Sequence, residues 1–162
     1  MITLRPIDSA DRDFLWRVYA STRQEELAQT DWDADQKTAF LTMQFDAQHR
    51  YYAANYPRAQ FQIILQDGEP IGRLYVDRRA AEIRIMDIAL LPEFRRRGIG
   101  SDLVNAILAE GKTRGLPVTI HVEQFNPALR LYYRLGFRQI QDKGVYYLLE
   151  WEPKVEHVQI VG

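Results

Sequence analysis

The chain has no cysteine among its 162 residues. Disulfides, thiolate metal sites and a cysteine nucleophile are excluded together. Histidine is scarce too: His49, His121 and His157 are the whole set, and they lack the spacing of metal ligands. Charge of one sign is missing, since 21 Lys and Arg stand against 22 Asp and Glu for a formal net charge of −1. The broad basic field of a non-specific nucleic-acid binder is therefore absent, and any anion site must be local. Nowhere does the sequence hold the ~18 consecutive apolar residues of a membrane helix. The opening residues, Met1 to Pro6, lack the apolar run of a signal peptide. These absences lead to expectations of no metal, no nucleic-acid or membrane partner, and a cytoplasmic location.

What is present is the composition of a soluble globular protein, 46% hydrophobic and 27% charged. The length suits one domain, and no repeat or linker interrupts it, so residues 1–162 are expected to form a single domain. Ile2 to Arg5 alternates as a first strand. Phe14, Leu15, Val18 and Tyr19 recur at helical spacing after Asp8 or Ser9. Asp33 is placed to cap a second helix running towards Tyr56 and stopped by Pro57. Phe61 to Leu65 and Ile71 to Val76 read as strands joined by Asp67-Gly68, a type I′ hairpin signal because both residues need positive φ.

Further strands are expected at Glu82 to Leu91, Pro117 to Val122, Phe137 to Gln141 and Val145 to Trp151. Helices are expected around Leu103 to Leu108, closed by Gly115, and from Asn126 to Gly136. The tail after Pro153, residues 153–162, alternates weakly, as an extra strand or a partner contact would. The fold class is α+β with a mixed sheet.

The segment with most chemical content is Asp87-Ile88-Ala89-Leu90-Leu91-Pro92-Glu93-Phe94-Arg95-Arg96-Arg97-Gly98-Ile99-Gly100-Ser101. A buried strand leads into a basic, glycine-bearing loop that opens into a helix. Gly98 and Gly100 lack Cβ and let the backbone bring its N–H groups close to a ligand. The first N–H groups of the helix have no intrahelical partner, and the dipole adds positive charge there. Together they make a cradle suited to a pyrophosphate, to which Arg95, Arg96, Arg97 and the Ser101 hydroxyl can add donors. A solvated basic turn is the plainer reading of the same residues. A dinucleotide-binding turn fits badly, because Leu103 stands where a third small residue belongs, and no Gly-Lys-Ser/Thr follows as in a Walker loop.

Arg95-x-x-Gly98-x-Gly100 resembles the Arg/Gln-x-x-Gly-x-Gly/Ala motif of GCN5-related N-acetyltransferases, the GNAT family. The later run Asn126-Pro127-Ala128-Leu129-Arg130-Leu131-Tyr132-Tyr133-Arg134-Leu135-Gly136-Phe137 is similar to that family's Asn-x-Ala-x-x-Leu-Tyr-x-x-x-Gly-Phe box. The matched core is Glu82 to Phe137. The resemblance implies a three-layer α/β/α arrangement: a mixed, mostly antiparallel sheet with a splayed parallel strand pair, flanked by about four helices. It implies acetyl-CoA as acyl donor, with its pyrophosphate on Arg95, Arg96, Arg97, Gly98, Ile99, Gly100 and Ser101. The pantetheine arm would lie along the main chain of Ile88, Ala89 and Leu90 and near Asn126, which is otherwise a helix cap.

Acetyl transfer from a thioester to an amine needs an acid for the leaving thiolate and a base for the amine. Tyr132 matches the family's acid tyrosine; a phenol of reference pKa about 10 can protonate sulfur without ionising at neutral pH. From the residues alone it reads equally as a core tyrosine, on the inward helical phase with Ala128 and Leu135, while Tyr133 points elsewhere. On the strand through residue 120, alternation puts Thr119, His121 and Glu123 on one face. His121 and Glu123 are candidate bases. Asp87 is a third candidate, or else the partner of a cation such as Arg73, and water alone can also serve.

The expected acceptor is a small-molecule or peptide primary amine. Glu25, Glu26, Asp31, Trp32 and Asp33, with Phe45, His49, Tyr52 and Tyr56, form an acidic aromatic mouth or, more simply, core packing beside a solvated loop. A homodimer is left open. Two rival readings keep the fold: an idle acyl-CoA sensor or interaction module, and a transferase of another acyl group such as succinyl.

Overall fold

The computed structural model describes residues 1–154. The expected tail strand, apart from its first residues, lies outside the described residues. Seven strands form one sheet in the order β1-β2-β3-β4-β5-β7-β6: β1 Ile2–Pro6, β2 Gln60–Gln66, β3 Glu69–Arg78, β4 Ile83–Leu90, β5 Val118–Glu123, β6 Arg138–Asp142 and β7 Tyr146–Trp151. The described α-helices are α1 Arg12–Ser21, α2 Gln24–Ala28, α3 Ala34–Asn55, α4 Ile99–Arg114 and α5 Leu129–Arg134. The sheet is mixed: β1–β2, β2–β3, β5–β7 and β6–β7 run antiparallel, and β4–β5 run parallel. By contacts the chain divides into two compact units, residues 1–77 with 86–100, and residues 78–85 with 101–162.

In the first unit, Asp67 and Gly68 take φ of 50° and 84°, the torsions the hairpin between β2 and β3 requires. Leu15, Tyr19, Leu27, Leu41, Phe45, Ile63 and Tyr75 form its apolar core. Asp33 caps α3 as expected, accepting from Gln36 N–H while Gln36 returns a bond to the Asp33 amide. Asp8 and Asp11 make a second such box ahead of α1, and Arg5 clasps Asp11 through two bonds of 2.8 Å. That clasp holds the buried Asp11 carboxyl below the usual carboxylate range. The helix α2 is one more than the sequence predicts; it is five residues long and anchored by the single buried Leu27, too short to show a period.

In the second unit, Val104, Ile107 and Leu108 of α4 are buried, and Gly115 ends that helix at φ 66°. Gly111 keeps α4 close to β5: a Cβ there would stand 2.9 Å from the Leu116 carbonyl oxygen and 3.1 Å from Val118. The parallel register pairs Ile83 with Val118, Arg84 with Thr119 and Ile85 with Ile120. The last helix begins later than the spacing predicts. Asn126 opens a turn in which its Oδ1 accepts the Ala128 N–H at 2.9 Å, and α5 starts only at Leu129. Pro127 supplies no N–H, so the Asx turn takes the place of a first helical turn.

Candidate active site

The end of β4 is shaped by a glycine on its neighbour. A Cβ on Gly72 would overlap the Ala89 carbonyl oxygen and sit 2.9 Å from Leu90 Cδ2. Only glycine lets β3 approach Ala89 and Leu90 so closely. Leu91 N–H then donates to the Ile71 carbonyl at 2.9 Å, and a 3-10 turn at Pro92–Phe94 leads away. Arg95 is extended, Arg96 sits at φ 63° and Gly98 at φ 80°, and α4 begins at Ile99. Arg96 and Gly98 thus bend the chain sharply just ahead of the first α4 amides, which have no intrahelical partner. Ile99, 8% exposed, anchors this loop in an otherwise exposed stretch.

A Cβ added to Gly98 or Gly100 would meet nothing within 4 Å. The space above these glycines is open to a group that needs backbone approach, at the amide end of a 16-residue helix. The residues therefore fit a diphosphate. The three arginines do not act alike. Arg95 braces the loop, its Nε on the Leu90 carbonyl at 2.9 Å and an Nη on Ser21 Oγ at 3.2 Å. Arg97 lies over the Phe94 ring at 5.5 Å. Arg96 is exposed.

In the second unit, Tyr132 is buried, with its ring edge-on to Phe137 at 5.7 Å, whereas Tyr133 is exposed, as the helical phase predicts. Asn126 is exposed; with Oδ1 committed to the Ala128 amide, its Nδ2 keeps its donors for another partner. Glu123 ends β5 opposite Tyr146, half-buried.

His121 sits inside a charged network on that face of β5. Arg84 Nε donates to Thr119 Oγ1 at 2.7 Å, and Thr119 donates to Glu82 at 2.7 Å. Arg84 Nη1 stands 3.4 Å from His121 Nδ1, and Lys143 Nζ stands 3.2 Å from its Nε2. Partial burial, and then the nearby charges of Arg84 and Lys143, hold the imidazole below its ordinary pKa. Asp87, in the first unit, is taken up by Arg73, the partner the sequence suggested. Arg73 is 3% exposed, also bonds Gln48 Oε1 at 2.9 Å, and lies over Tyr75 at 4.9 Å.

The expected acceptor residues separate. Phe45 is core, stacked at 6.1 Å on His49 and tilted on Tyr19. Tyr52 meets Tyr75 and Tyr56 edge-on. Glu25, Glu26, Asp31, Trp32 and Asp33 stay exposed. Packing explains the buried ones.

The sequence profile of the Acetyltransferase (GNAT) family matches residues 10–137. The chain belongs to the GNAT family. A sequence search among curated proteins finds no match. Solved structures share the fold. PaiA N-acetyltransferase from Thermoplasma acidophilum, in complex with coenzyme A, aligns with TM-score 0.71 at 17% identity, over 94% of this chain and 99% of that one. The ribosomal-protein-S18-alanine N-acetyltransferase from Escherichia coli aligns at 0.62 and 16% over the whole of both chains. A histone acetyltransferase HPA2-related protein from Corynebacterium glutamicum aligns at 0.64 and 22%, over 95% of this chain and 97% of that one.

GNAT membership makes the chain an acyltransferase by family, and no described helix is long and apolar enough to cross a membrane. Sequence reasoning passed over three residues that shape the surroundings of the predicted ones. Gly72 was legible in principle as a glycine inside a strand pattern. Arg84 and Lys143 carried no signal, because only strand register and the β6–β7 turn bring them to His121.

Proposed function

We propose that this protein transfers acetyl from acetyl-CoA to a primary amine by direct attack in a ternary complex. The observation that carries the reading is the loop at Arg95 to Gly100. Its left-handed Arg96 and Gly98, and the open space over Gly98 and Gly100, prepare backbone amides at the start of α4 for a diphosphate. Arg96, Arg97 and Ser101 add donors, and Arg95 keeps the loop in shape. The cofactor arm takes main-chain bonds from Ile88 to Leu90, with the free amide of Asn126 as a further donor.

In the chemical step the amine nitrogen attacks the thioester carbon, the C–N bond forms and the C–S bond breaks. Tyr132 delivers its hydroxyl proton to the departing sulfur. The proton lost by the amine passes to His121 or Glu123, directly or through water. A depressed imidazole pKa keeps His121 neutral, and so able to accept, at neutral pH.

The test is thiol release from acetyl-CoA against small amines, polyamines, aminoglycosides and peptide N-termini. Release with at least one acceptor supports the reading. Tight coenzyme binding with no release from any amine would instead favour an idle acyl-CoA sensor. Tyr132→Phe should lower kcat by about 10²–10⁴-fold, the range for a positioned acid, while coenzyme affinity holds. Unchanged turnover removes Tyr132 from the mechanism.

A further inference from the structure

Both ring nitrogens of His121 face cationic donors. Guanidinium and ammonium nitrogens only donate, and a neutral imidazole has one acceptor nitrogen and one N–H. Arg84 Nη1 faces Nδ1 and Lys143 Nζ faces Nε2, at 3.4 and 3.2 Å. Whichever tautomer is present, one contact sets an N–H against a cationic donor. Protonating the ring makes both contacts so.

The network holds the Arg84 half of this conflict in place, while the exposed Lys143 side chain supplies the other half. Arg84 is fixed by Thr119 on Nε and by Glu82 on Nη2 at 3.4 Å, and its side chain is 12% exposed, so Nη1 stays aimed at the ring. Glu82 is already committed to Thr119, Arg84 and Arg79, the last at 2.9 Å. Lys143 rides on a tight turn, its own N–H on the Tyr146 carbonyl at 2.8 Å and the Gly144 N–H on Asp142 at 2.9 Å. Asp142 spends its Oδ1 there and on Gln124. Glu123, on the same face of β5, has an interaction of its own.

We propose that Arg84, His121 and Lys143 form an oxyanion-binding site, and that the amine acceptor carries a carboxylate or phosphate that docks there. One oxyanion accepts from the guanidinium, the imidazole N–H and the ammonium together, which turns the donor conflict into charge-assisted bonds. With an acceptor docked in this way His121 is a donor, and the amine proton goes to Glu123 or water. The acceptor half of this inference rests on the acetyltransferase reading; the anion site does not.

Two arms separate them. The first follows the His121 ring protons of the full chain by NMR while inorganic phosphate, or separately acetate, is added. A bound anion favours the imidazolium, so the His121 pKa should climb saturably, and Lys143→Met should weaken the midpoint by about tenfold. No saturable change, or an unaltered midpoint in Lys143→Met, overturns the site. The second arm compares amino acids with their carboxamides in the thiol-release assay. The carboxylates should show KM values lower by about tenfold, a preference lost in Lys143→Met. Equal KM values overturn the acceptor assignment and leave free inorganic anion as the ligand. Release from no amine at all sinks the acetyltransferase reading while the NMR result stands.

Discussion

Gly98 holds a backbone torsion on which the proposed cofactor loop depends. At φ 80° it holds a conformation that costs a side-chain-bearing residue about 1–2 kcal/mol. Gly98→Ala should lose about that much stability, and coenzyme affinity should fall as the methyl enters the open space above the loop. Calorimetric titration with coenzyme A checks this, and wild-type affinity would remove the loop from cofactor binding. His121 makes a different single-residue prediction. Burial and the charges of Arg84 and Lys143 depress its folded pKa. As pH falls through the unfolded value of about 6.5, the unfolded ring gains its proton before the native ring does. The contribution of His121 to native stability is therefore fully kept above that value and declines below it. If His121 accepts the amine proton, the acid limb of kcat/KM lies below about 6.5. A limb above that value assigns the base elsewhere.

Elements follow local chemistry where a cap or a turn is self-contained. Asp33 and Gln36 satisfy each other's amides within one turn, so the start of α3 is written in four residues. Asp33→Ala should destabilise the chain by about 1 kcal/mol, measured by denaturant unfolding with unchanged slope. No change would mean that core packing alone sets that boundary. The Asp67-Gly68 hairpin is equally local. The start of α5 and the presence of α2 were not legible, for opposite reasons. In α5 the periodicity reaches back to Ala128, but Pro127 and the Asn126 side chain complete a turn first. In α2 there is one buried side chain and thus no period to read.

Across the whole molecule, ligand binding and folding are linked by mass action. Coenzyme A at 100 times its Kd should add about 2.7 kcal/mol. For a chain of this size that is a rise in Tm of roughly 5–11 °C. A thermal scan with and without coenzyme reads it, and no shift at saturating coenzyme would contradict the cofactor assignment. The seven-stranded order is itself a whole-molecule property, with β7 inserted between β5 and β6. Non-local pairing of that sort leaves only turn signals in the sequence.

By itself the sequence determined the family-bearing loop, the Asn126 to Phe137 box, the caps and the strand alternation, including the shared face of Thr119, His121 and Glu123. Those features rest on interactions within a few residues, or on a period that repeats along the chain. Tertiary structure alone decided that Asp87 is held by a buried Arg73, that Gly72 lets two strands close together, and that Arg84 and Lys143 converge on His121. The partners in these contacts are 14 to 37 residues apart, and their meeting is set by register and burial, which no local pattern encodes.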